Sequence, residues 1–203
     1  MLDLLALVQS CAPAVGEITM ASIIQVESGG NPLAIGINAD HPPAFTPPAT
    51  AADATALARQ WITAGYSIDL GIAQINSANL SWLGVSVDQM FDPCLNIQAG
   101  AVVLQSAYER AVAAGKREPL HAALSAYNTG DFSRGIQNGY VTRVLRASAR
   151  YRAGSGDIIE PSTIPAQEVS QGTEVTGFME FFGRSGSGSI SPPPEETKGI
   201  HGP

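Results

Sequence analysis

The chain has 203 residues, 44% of them hydrophobic and 14% charged, with a formal net charge of −7. This is the composition of a globular protein rather than a disordered one, and the length suits one domain with appendages. The acidic balance excludes the basic footprint of a nucleic-acid binder, and no apolar run reaches the roughly 18 residues of an integral membrane segment.

The chain opens on Met1-Leu2-Asp3-Leu4-Leu5-Ala6-Leu7-Val8, which is apolar but carries Asp3 and no Lys or Arg. Lacking the basic start of a signal peptide, it reads as a first core helix, and no export route is legible there. From Glu17 to Ser28 the helical period places Met20, Ile23 and Ile24 on one face with Glu27, and Gly29-Gly30 stops the helix. Residues 35–38 and 66–68 are candidate short strands, separated by a Pro- and Ala-rich surface loop over 39–52 and a helix over 54–64. That helix puts Leu57, Ala58 and Trp61 on one side. Asp92-Pro93 has the form of an N-cap with a first-turn proline. The helix it starts carries the stripe Ile97, Ala101, Leu104, Tyr108 and Ala111. The next carries Leu120, Ala123, Leu124 and Tyr127 and ends near Asn128-Thr129-Gly130. Asn138-Gly139 turns the chain into a last helix, Tyr140 to about Arg150, with Val141, Val144 and Leu145 inward.

From Ala153 the composition shifts to Ser, Pro, Gly and Glu, with one apolar cluster, Phe178-Met179-Glu180-Phe181-Phe182. The expected organisation is a mainly α catalytic domain over residues 1–152, with at most a short β-hairpin near a cleft, and a disordered Gly/Ser/Pro-rich tail over 153–203.

Cys11 and Cys94 form no CxxC pair, and His41, His121 and His201 lack ligand spacing, so neither a metal nor another cofactor is expected. On spacing alone the cysteines are either two unrelated buried thiols or one long-range disulfide, which would imply an oxidising compartment.

Three stretches carry candidate chemistry. Glu27 lies on the apolar face of its helix, where loss of water favours the protonated form and suits a general acid; the competing role is a cap or salt bridge at a helix end. Gly71-Ile72-Ala73-Gln74-Ile75-Asn76 joins a glycine that permits close approach of a ligand to two amides able to bind a sugar. Ala126-Tyr127-Asn128-Thr129-Gly130 sets an aromatic and polar groups at a helix end, where each singly is more often packing or a cap.

Together, Glu27-Ser28-Gly29-Gly30-Asn31-Pro32, residues 71–76 and residues 126–130 resemble the soluble lytic transglycosylase family in order and approximate spacing, over about residues 1–150. The likeness extends to Asp92-Pro93-Cys94-Leu95-Asn96-Ile97, Ala99-Gly100-Ala101 and Tyr140-Val141. Cys11-Ala12-Pro13, residues 65–70 and Cys94 are similar to the transglycosylases of type IV secretion and conjugation systems.

The resemblance implies a goose-type-lysozyme-like fold with Glu27 facing a sugar cleft, as catalytic acid and base. It implies cleavage of peptidoglycan between N-acetylmuramic acid and N-acetylglucosamine, leaving a 1,6-anhydro end. It further implies substrate contacts by Ser28, Gln74, Asn76, Tyr127 and Asn128, with the tyrosine near the glutamate. Asp69 is a possible second carboxylate, or a cap or turn residue before Leu70-Gly71. Ala73 stands where many relatives carry Met, implying a shallower apolar wall. The implied workplace is the periplasm, with local opening of the wall for a secretion machine whose components the tail would recruit. A Cys11–Cys94 disulfide is then expected, since each cysteine flanks a helix of the same core. The alternatives are a lysozyme-type hydrolase on the same fold and a non-catalytic secretion-assembly adaptor.

Overall fold

The computed structural model of the chain describes residues 4–154. Helix α1 spans Leu4–Cys11 and α2 Glu17–Glu27. Strand β1, Ile35–Asn38, follows; then α3, Ala51–Thr63, and strands β2, Ser67–Leu70, and β3, Ile75–Asn76. A 3-10 turn, the short α4 at Leu80–Leu83 and a second 3-10 turn lead to α5, Pro93–Ala113. Helices α6, Pro119–Thr129, α7, Arg134–Gln137, and α8, Tyr140–Arg152, complete the described chain.

The element boundaries follow from local chemistry. Thr50 caps α3 reciprocally: its hydroxyl accepts from the Asp53 N–H at 3.1 Å and donates to the Asp53 carboxylate at 2.7 Å. Asp92 caps α5 through the Leu95 N–H at 2.9 Å, with Pro93 in the first turn. Gly130 closes α6 in the left-handed region, at φ 75°.

Helix α5 runs through the centre, against α6 and α1, while α2 packs on α8. Met20, Ile23 and Ile24 from α2 meet Ile97 and Leu104 from α5, Leu124 and Tyr127 from α6 and Val144 from α8 in one buried core. Of the stripe expected on α5, Tyr108 alone is only partly buried. The bond between Cys11, last residue of α1, and Cys94, second residue of α5, fastens these two helices, with their Cα atoms 5.2 Å apart.

The two expected strands pair antiparallel, joined through α3 rather than by a tight turn, and a third strand is added. β1 pairs antiparallel with β2, Ile35 opposite Leu70 and Asn38 opposite Ser67, and β2 pairs antiparallel with β3, Asp69 opposite Asn76. Strand β2 lies further along the chain than the 66–68 expected. Its residues 68–70 are all buried, so the alternation that marks a half-exposed strand is missing. Strand β3, at two residues, is too short for a period. The surface loop ends at Thr50, two residues earlier than expected, because the Thr50 cap starts α3 there. The tail cluster Phe178–Phe182 lies outside the described residues. No helix among those described is long and apolar enough to cross a membrane.

Candidate active site

Glu27 ends α2 at the point where Gly29 and Gly30, both at positive φ, turn the chain away. Burial of Met20, Ile23 and Ile24 fixes the face of α2 on which its half-buried side chain stands. Across from it, Tyr140 opens α8, and its hydroxyl donates to Glu27 Oε1 at 2.7 Å. Tyr140 is almost wholly buried. Burial first, then the negative charge of Glu27 and the neighbouring phenol of Tyr127, hold its own phenol well above 10, so it remains a proton-bearing donor.

Tyr127 stands in the same electrostatic neighbourhood. Burial foremost, then the charges of Glu27 and Asp69, raise its phenol well above 10. Its hydroxyl donates to the Ala73 carbonyl at 2.8 Å, tying α6 to the 71–76 segment. Tyr127 thus feels the charge of Glu27, and Tyr140 donates a hydrogen bond to that carboxylate. The sequence marked Tyr140 as a helix start and as part of the family likeness, but not as a site residue. The available signal was an aromatic on the buried face of a helix that otherwise carries four arginines.

The 71–76 segment is locked by three side chains. Ser28 donates to the Ile72 carbonyl at 2.6 Å and accepts from the Gly30 N–H at 3.1 Å, fastening the end of α2 to the segment. Asn96, fully buried on α5, donates to the carbonyls of Leu70 (2.8 Å) and Met90 (2.9 Å) and accepts from the Ala73 N–H at 2.8 Å. Gln74 donates to the carbonyls of Gly71 at 2.8 Å and Ala34 at 3.2 Å. The backbone of Gln74 sits at φ 52°, a conformation that L-residues rarely adopt.

Two expectations change here. Gly71 was read as admitting a ligand. A Cβ there would instead lie 2.1 Å from the Met90 carbonyl oxygen and 2.4 Å from Asn96 Nδ2, so the close approach is made by the protein itself. Ala73, read as a wall of the sugar site, has no exposed surface and faces Gly100 across the core. Gly100 was not singled out as a site residue. A Cβ on it would stand 3.0 Å from the Tyr127 hydroxyl, so the glycine makes room for that contact.

The remaining candidates form a polar cluster on the sheet. Asp69 is buried, and both of its carboxylate oxygens accept amide hydrogen bonds, from Asn76 at 2.9 Å and from Asn38 at 3.2 Å. Asn76, also buried, donates further to Ser67 and caps the following turn by accepting from the Ala78 N–H. Gln74 Oε1 accepts no hydrogen bond within the described residues and lies beside Gly36, 3.0 Å from where a Cβ would stand. Asn128 accepts from the Asn138 amide at 3.0 Å, and Asn138 accepts from the Tyr140 N–H at 2.9 Å, linking the 126–130 motif to the start of α8. The structure thus ties Ser28 and Tyr127 to the segment that carries Gln74, sets Glu27 next to Ser28 and in electrostatic reach of Tyr127, and pairs Asp69 with Asn76 across the strands. Among the described residues no three His, Cys, Asp or Glu side chains gather as a metal site.

A helix-end glutamate held by a buried phenol, in a helical domain with one small sheet, is the arrangement into which the comparisons fit. Residues 5–160 match the model of the transglycosylase SLT domain, and the chain belongs to that family. It is 36% identical over 156 residues to the type IV secretion system protein virB1 of Brucella abortus, covering 73% of this chain and 65% of that protein. It is 39% identical over 141 residues to protein virB1 of Agrobacterium fabrum, covering 69% and 57%. The chain therefore spans less than two thirds of the length of these relatives. No solved structure matches it.

Proposed function

We propose that this chain is a peptidoglycan lytic transglycosylase in which Glu27 is the sole acid/base. The observation that carries the reading is the Tyr140–Glu27 hydrogen bond at the end of α2. Protonated Glu27 gives its proton to the oxygen bridging N-acetylmuramic acid and N-acetylglucosamine, and the bond from the anomeric carbon to that oxygen breaks. Glu27, now ionised, takes the proton of the carbon-6 hydroxyl of the same muramic residue. That oxygen closes on the anomeric carbon, leaving a 1,6-anhydro end and consuming no water. Tyr140 donates to Oε1, and this hydrogen bond strengthens as the carboxylate forms.

Gln74 Oε1 is the acceptor left for a sugar hydroxyl or amide. Ser28, Asn76, Tyr127 and Asn128 act chiefly by fixing the segments that line the cleft, since their hydrogen bonds go to the protein. Amide hydrogen bonds on both oxygens of Asp69 tie it to the sheet and weigh against its use as the water-activating base of a hydrolase.

The similarity to proteins named for type IV secretion supports a role in opening the wall locally for such a machine, with the periplasm as workplace. The Cys11–Cys94 bond fits an oxidising compartment. In this reading residues 1–152 are the catalytic unit and residues 153–203 recruit the secretion components. The test is mass spectrometry of products released from peptidoglycan sacculi. Anhydro ends support the reading; ends heavier by one water reassign the enzyme as a hydrolase; no release from sacculi favours the adaptor.

A further inference from the structure

The cleavage chemistry leaves one face of α8 unused. Arg143, Arg146 and Arg150 stand at i, i+3 and i+7, all exposed, and form a single stripe about 10 Å long. The helix holds no carboxylate to offset them. Like charges at these spacings oppose helix formation. Arg150 and Arg152 in the last turn are explained by the helix dipole, but a cation near the helix start, as at Arg143, works against it. Neither of the two ion pairs among the described residues, Arg59–Asp88 and His121–Glu118, involves the stripe. Nor is it general basicity, because the chain as a whole carries −7.

The stripe starts at the site. The Arg143 guanidinium carbon lies 5.7 Å from the centroid of the Tyr140 ring, and its Nη1 donates to the Asn138 carbonyl at 3.3 Å. Tyr140 in turn bonds Glu27. One side chain therefore separates the first arginine from the carboxylate, and the other two lead away from it along α8.

We propose that Arg143, Arg146 and Arg150 form a cationic track that binds the carboxylates of the peptide branches on a glycan strand while the sugars occupy the cleft. Sugar rings offer a guanidinium no charge, whereas every uncross-linked peptide branch ends in a carboxylate that an arginine can pair bidentately. The identity of the polymer rests on the proposed activity; the preference for acidic branches rests on the stripe.

The test uses the full chain carrying Glu27→Gln, which leaves strands intact, and measures its Kd for soluble glycan strands with peptides and for N-acetylglucosamine oligomers of the same length, which carry no carboxylate. The chain should prefer peptide-bearing strands, and R143Q/R146Q/R150Q should weaken that binding about tenfold at low salt, as three exposed ion pairs allow. The loss should shrink on the uncharged N-acetylglucosamine oligomers and at high salt. R143K/R146K/R150K, which keeps the charge, should retain most of the affinity. Unchanged binding in the glutamine variant overturns the proposal. So does tighter binding, which would mean that the acidic residues of 155–203 occupy the stripe, and so does a track that binds phosphatidylglycerol vesicles with no preference among strands. Release of cleavage products by the chain with Glu27 intact is read separately, so a chain that binds peptide-bearing strands without cutting them sinks the proposed activity and leaves the track standing.

Discussion

Tyr140 and Glu27, 113 positions apart in sequence, meet at 2.7 Å, phenol to carboxylate, where the start of α8 crosses the end of α2. A buried neutral donor thus faces one oxygen of the carboxylate, Oε1. Tyr140→Phe removes that donor and little volume. It is expected to fold and to lose about 10–100-fold in kcat, the range for one hydrogen bond to a charged group. Steady-state kinetics on soluble strands checks this, and a variant within a factor of two of the parent would remove Tyr140 from the mechanism.

Asn96 satisfies three backbone groups of the 71–76 segment and its neighbours from a fully buried position. Asn96→Leu strips those partners and is expected to cost about 3–5 kcal/mol, several times a typical surface change. Denaturant unfolding measures it. A loss under 1 kcal/mol would mean that the segment finds other partners.

The two buried phenols make the fold sensitive to alkali. Tyr127 and Tyr140 hold their protons above the ordinary value of 10, burial being the main cause for both. Above pH 10 the unfolded chain releases these protons and the folded chain does not. The stability they contribute is fully present below 10 and falls as pH rises through the raised folded values, by about 1.4 kcal/mol per pH unit for each phenol. Unfolding curves between pH 9 and 11.5 should steepen in this sense, and Tyr140→Phe should reduce the slope. An unchanged slope would show that the phenols ionise freely.

The Cys11–Cys94 bond closes a separation of 83 residues between α1 and α5. Its reduction is expected to lower stability by up to about 4.5 kcal/mol in the chain-entropy account. Thermal melts with and without reductant, together with the Cys11→Ser/Cys94→Ser variant, test this. Equal melting temperatures would assign the bond no stabilising role.

Much of the architecture was legible because the long helices keep a 3.6-residue apolar period and carry their own stop signals, as at Gly130 and at Asp92-Pro93. What escaped was short or tertiary. Strand β3 and helices α4 and α7 are two to four residues long and hold no period. Glu27, Gln74 and Tyr127 were marked by their motifs. The roles of Tyr140, Asn96, Asn38 and Gly100 depend on which backbone comes opposite them after folding, and local spacing carries no record of that. Gly71 shows the same limit: the need for a missing side chain could be read, but the atoms that require it, the Met90 carbonyl and the Asn96 amide, could not.

In the proposed cleavage Glu27 moves both protons. The most direct test of this is the initial rate of Glu27→Gln against the parent on the same sacculi, with circular dichroism confirming the fold. The amide matches the acid in shape but cannot deliver a proton, and general acid/base catalysis is typically worth about 10²–10⁴-fold. The rate is expected to be at least a hundredfold lower with unchanged binding to strands, within that range. A folded Glu27→Gln chain that keeps more than about a tenth of the parent rate lies outside it and would contradict the assignment.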